Sequence, residues 1–122
     1  MESHTILVVD DDPDIRDVIA ETLADEGFSV VTSGDGQAAV DIALESPPSL
    51  IVLDLMMPKM SGWQVIEALQ ASPRGAKIPI VLVSASRDLE RTARQSQVAA
   101  CLAKPFDLDS LVRVVEQHVG NT

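Results

Sequence analysis

Tyrosine is absent from this chain, and its only aromatics are Phe28, Trp63 and Phe106. The core must therefore be assembled from Val, Leu, Ile, Ala and Met. Cys101 is the one cysteine, which rules out an intramolecular disulfide and a cysteine-based zinc site. Such scarcity suits a reducing compartment. Basic residues are also few: Lys and Arg number 9 against 19 Asp and Glu, a formal net charge of -10. A chain this acidic repels nucleic acid and anionic membranes, so direct binding to either is not expected. No apolar run approaches the roughly 20 residues that cross a bilayer. The opening MESHTILVVDDD lacks the basic and apolar regions of a signal peptide. These absences predict a cytoplasmic protein.

What the chain does contain is an ordinary globular composition, 46% hydrophobic and 23% charged over 122 residues. That suits one domain, residues 1–122, with enough apolar side chain to fold without crosslinks. Apolar runs at 6–9, 28–31, 50–53, 80–83 and 100–103 alternate with amphipathic stretches. Most are nearly continuous Val, Ile and Leu, the mark of strands buried on both faces. Between them, Ile15, Val18, Ile19 and Leu23 repeat at helical spacing with Gly27 as a stop. Ala39, Ile42 and Ala43 mark a second helix, closed by Ser46-Pro47-Pro48. Val65, Ile66 and Leu69 mark a third, closing near Ser72-Pro73. Residues 89–98 form the weakest helical pattern. Leu108, Leu111, Val112, Val115 and Val119 form a clear last helix with Asp107 as N-cap. Strand–helix units in series give an α/β three-layer sandwich with parallel strands and right-handed crossovers.

In such sheets the chemistry sits at the carboxyl ends of the strands. There this sequence places Asp10-Asp11-Asp12-Pro13-Asp14, then Asp54, then Ser84, then Lys104-Pro105-Phe106. Carboxylates packed together must be protonated or share a cation. An all-oxygen set suits a hard ion, Mg²⁺ first and Mn²⁺ as a substitute. A carboxylate such as Asp54 can attack phosphorus and form an acyl phosphate. Lys104 would pair with a phosphoryl oxygen, and the Ser84 hydroxyl would donate to another. Asp12 and Asp14 flank Pro13 and read as helix-capping and dipole-facing residues. His4 and His118, near the termini, are expected to be exposed and uninvolved.

The runs Ile6-Leu7-Val8-Val9-Asp10-Asp11, Leu53-Asp54-Leu55-Met56-Met57-Pro58-Lys59-Met60-Ser61-Gly62, Val83-Ser84-Ala85 and Lys104-Pro105-Phe106 resemble, in order, the receiver domain of two-component response regulators. The likeness covers nearly the whole chain and is of the chemotaxis type, a single-domain receiver. It implies a flavodoxin-like doubly wound sandwich, with a five-stranded parallel sheet in the order 2-1-3-4-5 flanked by five helices. It implies Asp54 as phosphoacceptor, Asp10 and Asp11 as the acidic pair holding Mg²⁺, and the Met56 backbone carbonyl as a further ligand. Ser84 matches the hydroxyl residue that moves toward the phosphoryl group, and Lys104 the lysine of the family, followed by a cis bond to Pro105. The implied partners are a sensor histidine kinase or histidine phosphotransfer domain as donor, and an output protein. The implied state is monomer or phosphorylation-dependent dimer.

Two features depart from the pattern. Cys101 stands three residues before Lys104, where such receivers commonly carry an aromatic that swings inward. The stretch between Ser84 and Lys104 is slightly short and lacks the usual glycine, with Gln97 near its place. Both support a second hypothesis, an interaction module that has kept the fold without the switch. A third, a phosphatase with an aspartyl nucleophile, meets Met56 where a proton-transferring acid is needed. A flavin-binding flavodoxin would bring its phosphate against Asp10-Asp11-Asp12, which repel it. The chain is expected not to be an enzyme beyond its own phosphorylation and dephosphorylation.

Overall fold

The computed structural model describes residues 4–85 and 98–119. Five strands, β1 (Thr5–Val9), β2 (Ser29–Ser33), β3 (Leu50–Asp54), β4 (Ile80–Ser84) and β5 (Ala100–Ala103), form one parallel sheet in the order β2-β1-β3-β4-β5. The described helices are α1 (Pro13–Asp25), α2 (Gly36–Glu45), α3 (Gly62–Gln70) and α4 (Leu108–Val119), with a 3₁₀ turn at Gly75–Lys77. The fold and strand order are those expected. The weak helical pattern at 89–98 lies outside the described residues except for Val98, so four of the five expected helices are described.

Side chains alternate across the sheet with the strand period of two and so build two cores. Leu7, Val9, Ile51, Leu53 and Leu82 face α2 and α3, meeting Ala39, Val40, Ala43, Val65, Ile66 and Leu69. Ile6, Val8, Leu50, Val52, Val81 and Val83 face the other way, onto Ile19 and Leu23 of α1 and Leu111, Val115 and Val119 of α4. Every residue of β3 and β4 is buried, as continuous apolar runs require. β2 departs from that expectation: three of its five residues are exposed, because it is an edge strand with helix cover on less of its surface. β5, the other edge, is only half covered, and Cys101 is partly buried there.

Local signals explain where the helices begin and end. Asp12 caps α1, its carboxylate accepting from the N–H groups of Asp14 (3.0 Å) and Ile15 (3.4 Å), with Pro13 first in the helix. Gly27 stops α1 at φ 98°, where a Cβ would be strained. The N–H of Gly27 reaches the Ala24 carbonyl and that of Phe28 reaches Leu23, which closes the helix in a Schellman motif. Asp107 accepts from the Ser110 N–H (2.8 Å) and hydroxyl (3.0 Å), which holds its carboxyl below the usual range. At the start of α3, Ser61 and Gln64 form a reciprocal capping box. That box ends the loop leaving Asp54, and so bears on the site.

Candidate phosphoacceptor and metal site

Asp54 is the last residue of β3, one position later than the apolar run implied, and its register partner on β4 is Val83. Asp10 follows β1 and is tied to β2 by its N–H, which donates to the Ser33 carbonyl at 3.1 Å. Both carboxylates lie at the same end of the sheet, and the crossovers that place β1 beside β3 make them neighbours. Asp10 is 1% exposed and Asp54 4%, whereas Asp11 is open to solvent. Carboxylate oxygens of Asp10, Asp11 and Asp54 all lie within 4.8 Å of one another.

Each buried carboxylate is held at both oxygens. Asp10 Oδ1 accepts from the Asp12 N–H at 2.9 Å, and Asp54 Oδ1 from the Met56 N–H at 3.1 Å. The remaining oxygens share one cation: Lys104 Nζ donates to Asp10 Oδ2 at 3.1 Å and to Asp54 Oδ2 at 3.3 Å. Burial raises the Asp54 pKa above its ordinary 3.8, and the nearby Asp10 charge adds to this. The Met56 N–H and Lys104 pull it down, but by less. For Lys104, burial alone would lower the pKa. Its hydrogen bond to Asp10 and the charges of Asp54 and Asp10 outweigh that and hold it above 10.5.

Ser84 ends β4, fully buried, and its carbonyl accepts from the Lys104 N–H at 2.9 Å. Its hydroxyl is hydrogen-bonded. The Lys104–Pro105 bond is cis, as the resemblance implied. In the loop after Asp54, Lys59 adopts a left-handed φ of 66° and the Gly62 N–H returns to the Leu55 carbonyl at 3.0 Å. Gly62 leaves no room for a side chain, since a Cβ there would stand 2.7 Å from the Asp54 carbonyl oxygen.

The donor set fits a hard divalent cation. It is all oxygen, it comes from three carboxylates, and a lysine ammonium already occupies the position of positive charge between two of them. The structure thus brings together Asp10, Asp11, Asp54 and Lys104, with Met56 and Ser84 on the same sheet end. His4 and His118 are elsewhere, lining a cavity of about 790 Å³ at the opposite end of the sheet. They are half-buried rather than exposed, because each ring finds a partner: the Ser49 hydroxyl at 3.2 Å for His4 and the Val114 carbonyl at 2.8 Å for His118. Two residues that touch the site were not singled out in the sequence, Arg16 and Gly34. The only signal for Arg16 was a basic residue one turn into a helix that begins with acids.

Comparison with known proteins bears on this geometry. The profile of the response regulator receiver domain matches residues 6–116. The chain is 32% identical over 122 residues to a probable chemotaxis protein CheY of Rhizobium etli, covering 98% of this chain and 95% of that one. It is 36% identical over 116 residues to the transcriptional regulatory protein PdtaR of Mycobacterium tuberculosis, covering 94% of this chain but 56% of that longer one. Several curated relatives are matched over only about half their length in this way. Among solved structures, the receiver domain of a Pseudomonas aeruginosa sensor histidine kinase, with a magnesium ion in its active site cleft, superposes with a TM-score of 0.88. It shares 28% identity over 98% of this chain and 100% of that one. With the profile running from β1 through β5 into α4 and the acidic cluster at the expected strand ends, the chain belongs to the response regulator receiver domain family of two-component signalling.

Proposed function

We propose that Asp54 accepts a phosphoryl group from a phosphohistidine of a sensor histidine kinase or histidine phosphotransfer domain. One observation carries this reading: a nearly buried carboxylate, fixed at one oxygen by the Met56 N–H and at the other by Lys104, beside two more carboxylates. An oxygen of ionised Asp54 attacks phosphorus as the P–N bond of the donor breaks, and the electron pair leaves on the imidazole nitrogen. The product is an aspartyl phosphate, and Asp54 gives up no proton. Lys104 pairs with a phosphoryl oxygen, and the Ser84 hydroxyl donates to another after a short movement. Asp10, Asp11, Asp54 and the Met56 carbonyl would hold Mg²⁺, or Mn²⁺ in its place. When bound, the ion supplies positive charge that offsets the charge of the incoming group.

Met56 stands two residues beyond the nucleophile, 65% exposed, and its thioether cannot transfer a proton. The chain is therefore a switch that undergoes its own phosphorylation and hydrolysis rather than an enzyme with an external substrate. Its output is a protein surface read by a partner, as monomer or phosphorylation-dependent dimer, in the cytoplasm. No described helix is long and apolar enough to cross a membrane, and the charge of -10 opposes direct nucleic-acid binding. Labelling with acetyl phosphate and Mg²⁺ tests the acceptor. Wild type incorporates phosphate and Asp54→Asn does not; equal uptake by the variant would falsify the assignment.

A second reading, an interaction module without switching, draws on Cys101, too small to swing as an aromatic reporter. Mg²⁺ with beryllofluoride separates the two. A changed amide spectrum beyond the site supports switching, and an unchanged one supports the module.

A further inference from the structure

The side chain of Arg16 lies one turn into α1, yet among the described residues it pairs with no carboxylate. Its Nη1 instead donates to the backbone carbonyl of Asp10 at 3.1 Å. That carbonyl belongs to the peptide joining Asp10 to Asp11. Holding the plane of this peptide places the Asp11 N–Cα bond, the axis about which the Asp11 side chain swings, and so limits the positions its carboxylate can take. Asp11 has little else to aim it. It is exposed, and among the described residues its carboxylate makes no hydrogen bond or ion pair, unlike those of Asp10 and Asp54. Nonetheless its carboxylate falls within 4.8 Å of both others.

Gly34 gives independent support. It sits in the turn after β2, between Ser33, whose carbonyl holds the Asp10 N–H, and Asp35, the N-cap of α2. Its φ is not in the left-handed region, so backbone conformation does not call for glycine. What a side chain there would meet is Arg16: a Cβ would stand 2.5 Å from Nη1 and 3.6 Å from Cζ, with the Asp10 carbonyl oxygen at 3.7 Å. Glycine leaves the space through which the guanidinium reaches its carbonyl. The planar group thus ties α1 to the loop after β1 and passes beside the turn after β2.

We propose that Arg16 is a positioning residue for the metal site, acting through the Asp10–Asp11 peptide, and that Gly34 is the space it needs. This rests on the reading of Asp10, Asp11 and Asp54 as metal ligands. The physics offers a sharp discriminator. Arg16 is a cation beside a cation site, so removing its charge alone would strengthen Mg²⁺ binding. Loss of its aim on Asp11 weakens binding. Only geometry can make affinity fall when a nearby positive charge is deleted.

The test is calorimetric titration of Mg²⁺ into the metal-free full chain, with wild type, Asp11→Asn, Arg16→Gln and Gly34→Ala compared, and circular dichroism confirming that each is folded. Arg16→Gln should weaken Mg²⁺ about 10-fold, the low end of what losing an outer support of a metal ligand costs. Gly34→Ala, which keeps Arg16 but pushes its tip away, should weaken it in the same direction. The double variant should be little worse than the worse single one, because both break one contact. Phosphorylation from acetyl phosphate at saturating Mg²⁺ should recover in Arg16→Gln, a split that general loss of structure would not produce. Unchanged or tighter Mg²⁺ binding by a folded Arg16→Gln overturns the proposal, as does a double variant whose losses simply multiply. If wild type and Asp11→Asn both fail to bind Mg²⁺, the metal-site reading itself fails instead.

Discussion

Lys104→Met is the substitution with the largest consequence that the geometry allows to be worked out. Lys104 Nζ lies 3.1 Å from Asp10 Oδ2 and 3.3 Å from Asp54 Oδ2, with Asp10 1% and Asp54 4% exposed. At an effective dielectric of ~20 each contact is worth about 5 kcal/mol before desolvation. Burial of three charges cancels most of that. What the variant leaves behind decides the outcome: two buried carboxylates without a counter-charge. Stripping one partner from a buried pair costs about 3–5 kcal/mol. The lower end applies because Lys104 keeps some solvent contact, its side chain being 20% exposed. A loss of about 3 kcal/mol corresponds to a fall in Tm of roughly 10 °C for a domain of this size. The same vacancy favours a divalent cation, since Lys104 no longer competes for Asp10 Oδ2 and Asp54 Oδ2. If a little over 1 kcal/mol of the lost pairing reappears in metal affinity, Mg²⁺ binds about tenfold more tightly. Scanning calorimetry with EDTA and with Mg²⁺, plus a Mg²⁺ titration, reads all three quantities. The variant should be much less stable without metal, with the gap to wild type narrowing in saturating Mg²⁺. If metal-free Lys104→Met matches wild type in Tm, or binds Mg²⁺ more weakly, Lys104 does not hold the cation position.

Asp54→Asn should stabilise the metal-free protein while abolishing phosphorylation, because burial and Asp10 penalise the charged form. The sign follows from a folded pKa above 3.8: ionised Asp54 destabilises the fold at neutral pH, and the folded state takes up the proton first as pH falls. The advantage of Asp54→Asn is thus fully present above the raised pKa and shrinks as pH drops toward 3.8. Urea unfolding of both proteins in EDTA across that range checks it, and an advantage that grows on acidification would contradict it. Gly62→Ala should destabilise by about 1–3 kcal/mol, the usual cost of forcing atoms into a filled space. Its Cβ meets backbone at 2.7 Å on both the Asp54 carbonyl oxygen and Leu55 Cα, which cannot swing aside like the tip of a side chain. A denaturation midpoint equal to wild type would show that the loop after Asp54 gives way freely.

Much of this protein was determined locally and could be read from the chain. Continuous apolar runs became β3 and β4 because a strand covered on both faces needs no polar side. Asp12, Pro13 and Gly27 bounded α1 through contacts no more than a few residues long. The acidic cluster was legible because strand ends in a parallel sheet share one edge, so order along the chain implied nearness in space. Tertiary structure alone decided the rest. Lys104 meets Asp10 across 94 residues and Asp54 across 50, and which oxygens it shares depends on strand register rather than on any local pattern. The exposed residues of β2 follow from its place at the edge, and the half-buried His4 from Ser49, a partner that only folding brings near. Arg16 carries no local pattern that sets it apart from other charged residues of α1. Only the turn after β2, folded against the loop after β1, leaves the space beside Gly34 through which its guanidinium reaches the Asp10 carbonyl. Sequence chose the chemical groups and the strand ends that carry them; packing between distant segments aimed them.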